Sequence, residues 1–268
     1  MAIGSSSSGR YRNPTAKPAW YKARQRAITP AQKRLERSLF PVFGLSFAHN
    51  QRIQLEPAFG RVAPTVLEIG CGAGEALIAL AEAAPEANFI GVDWFRSGLA
   101  SCLGSIEERG LTNVRLIRAD AATLLSRGLP EEPLFDEVKI FFPDPWYGSV
   151  ERRIVRPDVV QQISRRMRPS GYVHVATDVH GYPDGVRAVF ASAQSAGGYW
   201  RADAERRVVR PSTRYEREGI AAGRTIEDLH FAFEGVLQVD DVGDAADGDT
   251  DRSESGTPSS AERLSSER

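Results

Sequence analysis

The chain has 268 residues, 41% of them hydrophobic, with 34 Lys and Arg against 35 Asp and Glu. That is enough apolar material for one sizeable domain with tails, and two cysteines, Cys71 and Cys102, exclude a disulfide framework. No CxxC or HxxxH spacing supports a metal site, no apolar run approaches the ~20 residues of a membrane span, and the N-terminus lacks the apolar core of a secretory signal, so a cytoplasmic protein is expected.

The net charge of −1 hides an asymmetry. Residues 1–40 carry nine Lys/Arg and one Glu, whereas residues 234–268 carry ten acidic residues and three Arg. In chain order, residues 1–23 form a basic Ser/Gly/Pro-rich arm, expected to be disordered when free and suited to a polyanionic partner. Residues 29–39 (TPAQKRLERSL) open a helix with Thr29 as N-cap and Pro30 at the first helical position. An alternation follows. Strands are expected at 65–70, 88–94, 114–120, 135–142 and 171–178, and helices at 75–85, 97–110, 121–127, 157–167 and 184–197. Segments 199–208 and 228–236 read as a closing antiparallel pair, and 239–268 is an acidic tail with almost no large apolar residues. Five β-α repeats imply a doubly wound α/β sheet with helices on both faces, in which ligands bind outside the carboxyl ends of the strands.

The residues at those strand ends carry chemistry. The first strand runs into Glu68-Ile69-Gly70-Cys71-Gly72-Ala73-Gly74. Glycines at a βα turn let the backbone approach a ligand, but a carboxylate just before them would repel a pyrophosphate. It suits an ammonium group, as on the methionine part of S-adenosyl-L-methionine. The second strand ends at Asp93, placed to accept both ribose hydroxyls of an adenosine, and the third at Asp120-Ala121, placed to meet adenine. Either aspartate alone could be a loop-start cap; the three acidic residues with the glycines point to S-adenosyl-L-methionine, with S-adenosyl-L-homocysteine as product. The fourth strand runs into FFPDPW (141–146), where Pro143 and Pro145 hold Asp144 in an extended turn and Trp146 offers a flat face. A structural turn with a packing Trp is the plain alternative.

The pattern resembles the bacterial tRNA (guanine-N7)-methyltransferases over roughly residues 24–233: ITPAQKRLERSLFPVFGL (28–45), VLEIGCGAGE (66–75), FIGVDW (89–94), FFPDPW (141–146), TD (177–178) and TRYEREG (213–219). The resemblance implies a Rossmann-like, mostly parallel seven-stranded sheet within a methyltransferase domain at 24–238. It implies methylation of guanine N7 at position 46 in the tRNA variable loop, without a metal, by a monomer or homodimer that needs no protein partner. Glu68, Gly70, Gly72, Asp93, Asp120, Ala121 and Asp144 would surround the cofactor, with Asp144 as the catalytic residue. Asp178, Thr213, Arg214, Tyr215 and Glu216 would hold the substrate. Guanine N7 carries a lone pair and no proton, so alignment and electrostatics can carry the transfer without a general base.

One segment departs from the family. After FPDPW a basic run is usual, whereas here Tyr147-Gly148-Ser149-Val150-Glu151 precedes Arg152-Arg153, about two residues shorter, with Gly148 where a substrate-contacting Lys is expected. The basic arm (Arg10, Arg12, Lys17, Lys22, Arg24, Arg26) and Arg152, Arg153, Arg156, Arg206, Arg207 and Arg210 are candidates to make up the phosphate contacts. The departure leaves two alternatives open: a methyltransferase for a small purine or related heterocycle, and a catalytically silent RNA- or cofactor-binding protein.

Overall fold

The computed structural model describes residues 28–236 except 48–50, 194–197, 207 and 209. The basic arm and acidic tail expected at the two ends lie outside the described residues. So do the last residues of the helix expected at 184–197.

The chain enters through α1 (Pro30–Phe43), whose start is fixed by a reciprocal cap. Thr29 Oγ1 accepts from the Gln32 N–H at 3.2 Å, and Gln32 Oε1 accepts from the Thr29 N–H at 3.1 Å. The Gln32 amide also donates to Ser97 O and Ser101 Oγ, both at 3.2 Å, which docks α1 on α4 (Arg96–Glu108). An ion pair between Glu36 and Arg96 holds the same junction.

Among the described residues the sheet has eight strands in the order β1-β4-β3-β2-β5-β6-β8-β7. They are β1 (Gly44–Leu45), β2 (Thr65–Ile69), β3 (Asn88–Asp93), β4 (Val114–Arg118), β5 (Phe135–Phe141), β6 (Met167–Thr177), β7 (Gly198–Ala202) and β8 (Glu227–Val236). β8 runs antiparallel to both of its neighbours, and the other pairings are parallel. The chain steps outward from β2 through β3 to β4, then crosses back to lay β5 on the other side of β2. That reversal opens a crevice at the carboxyl ends of β2 and β5. The short α2 (Leu55–Phe59) precedes β2, and α3 (Glu75–Ala83), α4, α6 (Pro157–Ser164) and α7 (Tyr182–Ala193) cover the two faces. The fully buried β2 residue Leu67 packs in a core with Ile90, Val138 and Val173.

Four differences from the sequence expectations have local causes. Seven strands were expected, but a two-residue β1 pairs with β4, and two residues show no periodicity. The helix expected at 121–127 is α5 (Ala121–Thr123), which widens into a π-helical turn over Leu124–Gly128. β6 starts at Met167 rather than 171, with a register shift between Phe135 and Glu137 where its RPSG segment joins. β7 stops at Ala202 rather than 208, and α8 (Arg214–Ala221) is a helix that the sequence pattern did not signal.

The cofactor-type turn is packed without slack against α4. A Cβ on Gly98 would stand 2.7 Å from Gly72 O and 2.8 Å from Gly72 C, so the neighbour that must yield is backbone. Gly98→Ala is therefore expected to cost ~1–3 kcal/mol, the usual cost of overpacking a close-packed contact. Denaturant unfolding of the variant checks this, and an unchanged midpoint would contradict the tight packing.

Candidate active site

A cleft of about 590 Å³ opens at the carboxyl edge of the sheet, where β2 and β5 part. Glu68, in the penultimate position of β2, lines it with only 4% of its surface exposed. Its Oε2 finds no hydrogen-bond partner among the described residues. Burial pushes the carboxyl up to about 8; the nearby Lys139 ammonium opposes that rise, and Asp93 adds to it. Lys139 offers incomplete relief because its Nζ lies 2.7 Å from Glu137 Oε2. After Glu68 the chain turns through Gly70 (φ +80°) and Gly72 (φ +56°). A Cβ on either would meet nothing within 4 Å, so the bare main chain faces open space. Other residues rarely adopt this backbone conformation, which is why glycines occupy it.

Asp93, at the end of β3, organises that turn. Its Oδ2 accepts from the Gly72 N–H at 2.8 Å and its Oδ1 from the Phe95 N–H at 2.6 Å. Burial raises its pKa, the backbone bonds pull it back, and Asp144 adds a small rise. A carboxylate has about four lone-pair sites, so Asp93 retains acceptor capacity beyond the Phe95, Gly72 and Trp94 N–H groups. Asp120 caps α5: its Oδ1 accepts from the Thr123 N–H at 2.9 Å and the Thr123 hydroxyl at 2.8 Å. Asp120 and Ala121 also line the cleft, so capping and lining coexist in one residue.

Asp144 lines the cleft from the turn that follows β5 and is exposed. It makes no hydrogen bond or ion pair among the described residues, and its charge reaches Asp93 and Tyr182. Two residues in the turn take positive φ, Phe142 at +49° and Trp146 at +42°. The arginines downstream brace it. Arg152 lies 3.8 Å over the Trp146 ring, so one face of that ring is already covered. Arg153 donates to Pro145 O at 2.8 Å and sits 4.9 Å from the Tyr182 ring. Arg156 donates to Arg153 O at 2.9 Å and pairs with Asp158 at 2.8 Å. Arg206 lies 3.6 Å over the Tyr172 ring. These side chains, expected from sequence to meet phosphates, also contact the protein's own turn, strand and helix start, and Arg152 and Arg156 line the cleft as well. Arg207 and the basic arm residues up to Arg26 lie outside the described residues.

The far wall comes from the start of α8. Thr213 caps that helix, accepting from the Glu216 N–H at 3.3 Å, and lines the cleft together with Arg214 and Tyr215. The Arg214 N–H donates to Glu75 Oε2, and Arg217 Nη2 lies 3.4 Å from Glu75 Oε1, tying α8 to the first turn of α3. Asp178 and Glu216 are not among the cleft-lining residues. Asp178 Oδ2 accepts from Arg224 Nε at 2.7 Å. Glu216 takes both terminal nitrogens of Arg210, each at 2.8 Å. Burial raises the Glu216 pKa, the bonds from Arg210 outweigh it, and the group ends below the usual carboxylate range. The sequence reading missed Glu75 as the α8 anchor and Arg210 as the Glu216 partner; a glutamate directly after the glycine turn was the available signal for the first. Among the described residues no His/Cys/Asp/Glu cluster could hold a metal ion, and no helix is long and apolar enough to cross a membrane.

Comparison with known proteins shows what the chain is similar to. A family described as "Putative methyltransferase" matches residues 62–229. A tRNA (guanine-N(7)-)-methyltransferase of Nitrosomonas eutropha is 39% identical over 213 residues, covering 79% of this chain and 94% of the relative. One from Aeromonas hydrophila is 39% identical over 215 residues, with 78% and 89% covered. One from Leifsonia xyli is 37% identical over 226 residues, with 81% and 96% covered. Among solved structures, the 16S rRNA methyltransferase KamB superposes with a TM-score of 0.51 at 18% identity, covering 69% of this chain and 97% of that one, a likeness of fold.

The raised Glu68 carboxyl has a consequence for the ligand-free protein. Its folded pKa of about 8 exceeds the unfolded value, so folding binds a proton and stability falls as pH climbs from about 4.5 to about 8. Glu68→Gln removes this titration. The variant should melt well above the wild type at pH 9, with the gap narrowing toward pH 5. A gap independent of pH would contradict the buried titration.

Proposed function

The chain belongs to the tRNA (guanine-N(7)-)-methyltransferase family, and from that premise we propose how its cleft methylates guanine N7 in tRNA with S-adenosylmethionine as the donor. The observation that carries this assignment of residues is the unpartnered, buried Glu68 oxygen beside a bare glycine turn, with Asp93 and Asp120 at the next two strand ends. That donor set fits an adenosine bearing an ammonium group. Bound there, S-adenosylmethionine supplies an electrophilic methyl on a sulfonium and leaves as S-adenosylhomocysteine.

The residues have distinct tasks. Glu68 accepts from the ligand's ammonium, which compensates a carboxylate that is otherwise costly to ionise. Gly70 and Gly72 admit the ligand against the main chain. Asp93 offers its remaining acceptor capacity to the ribose while it keeps its bonds from Gly72 and Phe95. Asp120 and Ala121 face the adenine. Thr213, Arg214 and Tyr215 form the substrate side, with Glu216 and Asp178 behind them as acceptors for the guanine N1–H and N2–H groups.

Asp144 is the catalytic residue in this reading. N7 has no proton to lose, so no base is required, and the protein's task is alignment and charge. As N7 gains a methyl the purine becomes cationic, and a carboxylate already in place favours that charge. Pro143 and Pro145, with Arg152 and Arg153 behind them, keep the turn in place without the carboxylate's participation. The tRNA position is 46, in the variable loop, the catalytic domain spans 24–238, and the protein works in the cytoplasm as a monomer or homodimer. The small-heterocycle reading raised by the shortened loop is not favoured, since the relatives are named for tRNA along nearly their whole length.

The test pairs chemistry with mapping. Purified protein given tRNA lacking the modification should form 7-methylguanosine in nuclease fragments that contain position 46. Asp144→Asn keeps shape and one acceptor oxygen but loses charge, so single-turnover methyl transfer should fall ~10²-fold or more with the melting temperature nearly unchanged. A variant within about threefold of wild type would remove Asp144 from catalysis, and methylation at another position would overturn the assignment to position 46.

A further inference from the structure

Arg210 is not among the residues that line the cleft, and the sequence offered it only as a candidate phosphate contact. Its side chain is only 6% exposed. Its fork takes Glu216 on the first turn of α8, with both oxygens at 2.8 Å. Its Nε donates to Asp228 Oδ1 on β8 at 2.7 Å. Its guanidinium stands 5.2 Å from the Phe142 ring and 5.8 Å from the Phe141 ring, at the root of the turn that carries Asp144. Asp228 is held in turn by His174 Nε2 on β6 at 2.7 Å. The His174 ring, fully buried, meets the Phe141 ring edge-on at 4.9 Å.

One side chain thus contacts both the helix proposed to hold guanine and the root of the turn proposed to carry the catalytic carboxylate. We infer that Arg210 is a positioning residue for methyl transfer, acting through Glu216 and setting the spacing between the start of α8 and the Asp144 turn. The inference rests on the proposed role of Glu216 as a guanine acceptor. The planar fork is needed because its two parallel bonds fix the orientation of the Glu216 carboxylate as well as its charge, which a lysine ammonium cannot do. The Ser212 hydroxyl and Thr213 N–H add further contacts to Glu216. Those are the contacts an incoming guanine N–H can replace while Arg210 keeps its hold.

Misplacement of a reacting group by about 1 Å can cost ~10²-fold in rate. Arg210→Lys should therefore lower kcat with tRNA by ~10-fold or more, while the Kd for S-adenosylhomocysteine stays within about twofold, a split that a general loss of structure does not give. Asp228→Asn, which weakens the anchor and keeps the shape, should do the same to a smaller degree, and it serves if Arg210→Lys does not fold. The deciding measurement is a double-mutant cycle with Glu216→Gln. If Arg210 acts through Glu216, the double variant is about as slow as Glu216→Gln alone. If Glu216→Gln is slow and the two losses multiply in full, the positioning role fails while the guanine-acceptor reading of Glu216 survives. If Glu216→Gln turns over like the wild type, that reading fails and the inference falls with it, however slow Arg210→Lys is. An Arg210→Lys enzyme within about twofold of wild-type kcat, or one with a parallel loss of S-adenosylhomocysteine affinity, overturns the inference directly.

Discussion

Glu68 carries a carboxylate out of water on the strand where the chain reverses the direction in which it lays down the sheet, and its protonation at neutral pH follows from that burial. A carboxylate in such a place is unfavourable unless a cation meets it. Lys139 is the cation nearest in register, but it is shared with Glu137. The remaining demand points outward, into the cleft, and the features around it serve that demand. The glycine turn leaves main chain bare, Gly98 lets α4 close on the turn, and Asp93 ties turn and strand end together. In the proposed reading, a ligand with an ammonium and a nucleoside resolves the electrostatic deficit and fills the geometry at once.

The same face of the sheet continues the theme. Glu68 stands opposite Lys139, Lys139 opposite His174, and His174 opposite His230, so four titratable residues cross β2, β5, β6 and β8 in one row. All four are buried. Burial holds both histidines below their usual pKa, His230 to about 4, and the rings lie 4.1 Å apart. Asp228, drawn down to about 2 by His174 and Arg210 against the pull of burial, connects this row to Glu216. Titratable side chains therefore stand side by side from β2 to β8 in the sheet interior, where packing permits little displacement.

Much of this architecture was legible. The long βα alternation has clear periods, so β2, β3, β4 and β5 begin within a residue of expectation, and strand-end acidity marked the cleft because open α/β sheets bind ligands there. What escaped has physical reasons. β1 is too short for any period to register. α8 begins inside TRYEREG, a segment of charged residues whose helix is set by the Thr213 cap and by Glu75 across the cleft, a contact between residues far apart in the chain. The arginines from 152 to 210 look from sequence like a reserve of phosphate contacts, yet Arg152 and Arg206 also lie over aromatic rings, Arg153 holds a carbonyl and Arg210 holds two carboxylates. Composition cannot distinguish a solvated arginine from one that braces a loop. One signal went unread: each of the strands TVLEI, FDEVKIF, GYVHVAT and DLHFAFEG carries a titratable residue inside an apolar run, which is where the polar row lies.

The central claim is that the buried Glu68 carboxyl becomes ionised when it receives the ligand's ammonium. The direct measurement is calorimetric titration with S-adenosylhomocysteine between pH 6 and 7.5, repeated in buffers of different ionisation enthalpy, where the ligand's amino group is largely protonated. Binding should release close to one proton at the lower end of that range, and affinity should rise with pH, up to about tenfold per unit below the Glu68 pKa of about 8. 5′-Methylthioadenosine, which lacks the ammonium, should show neither effect. Affinity for S-adenosylhomocysteine that is flat with pH, with no proton released, would contradict the account.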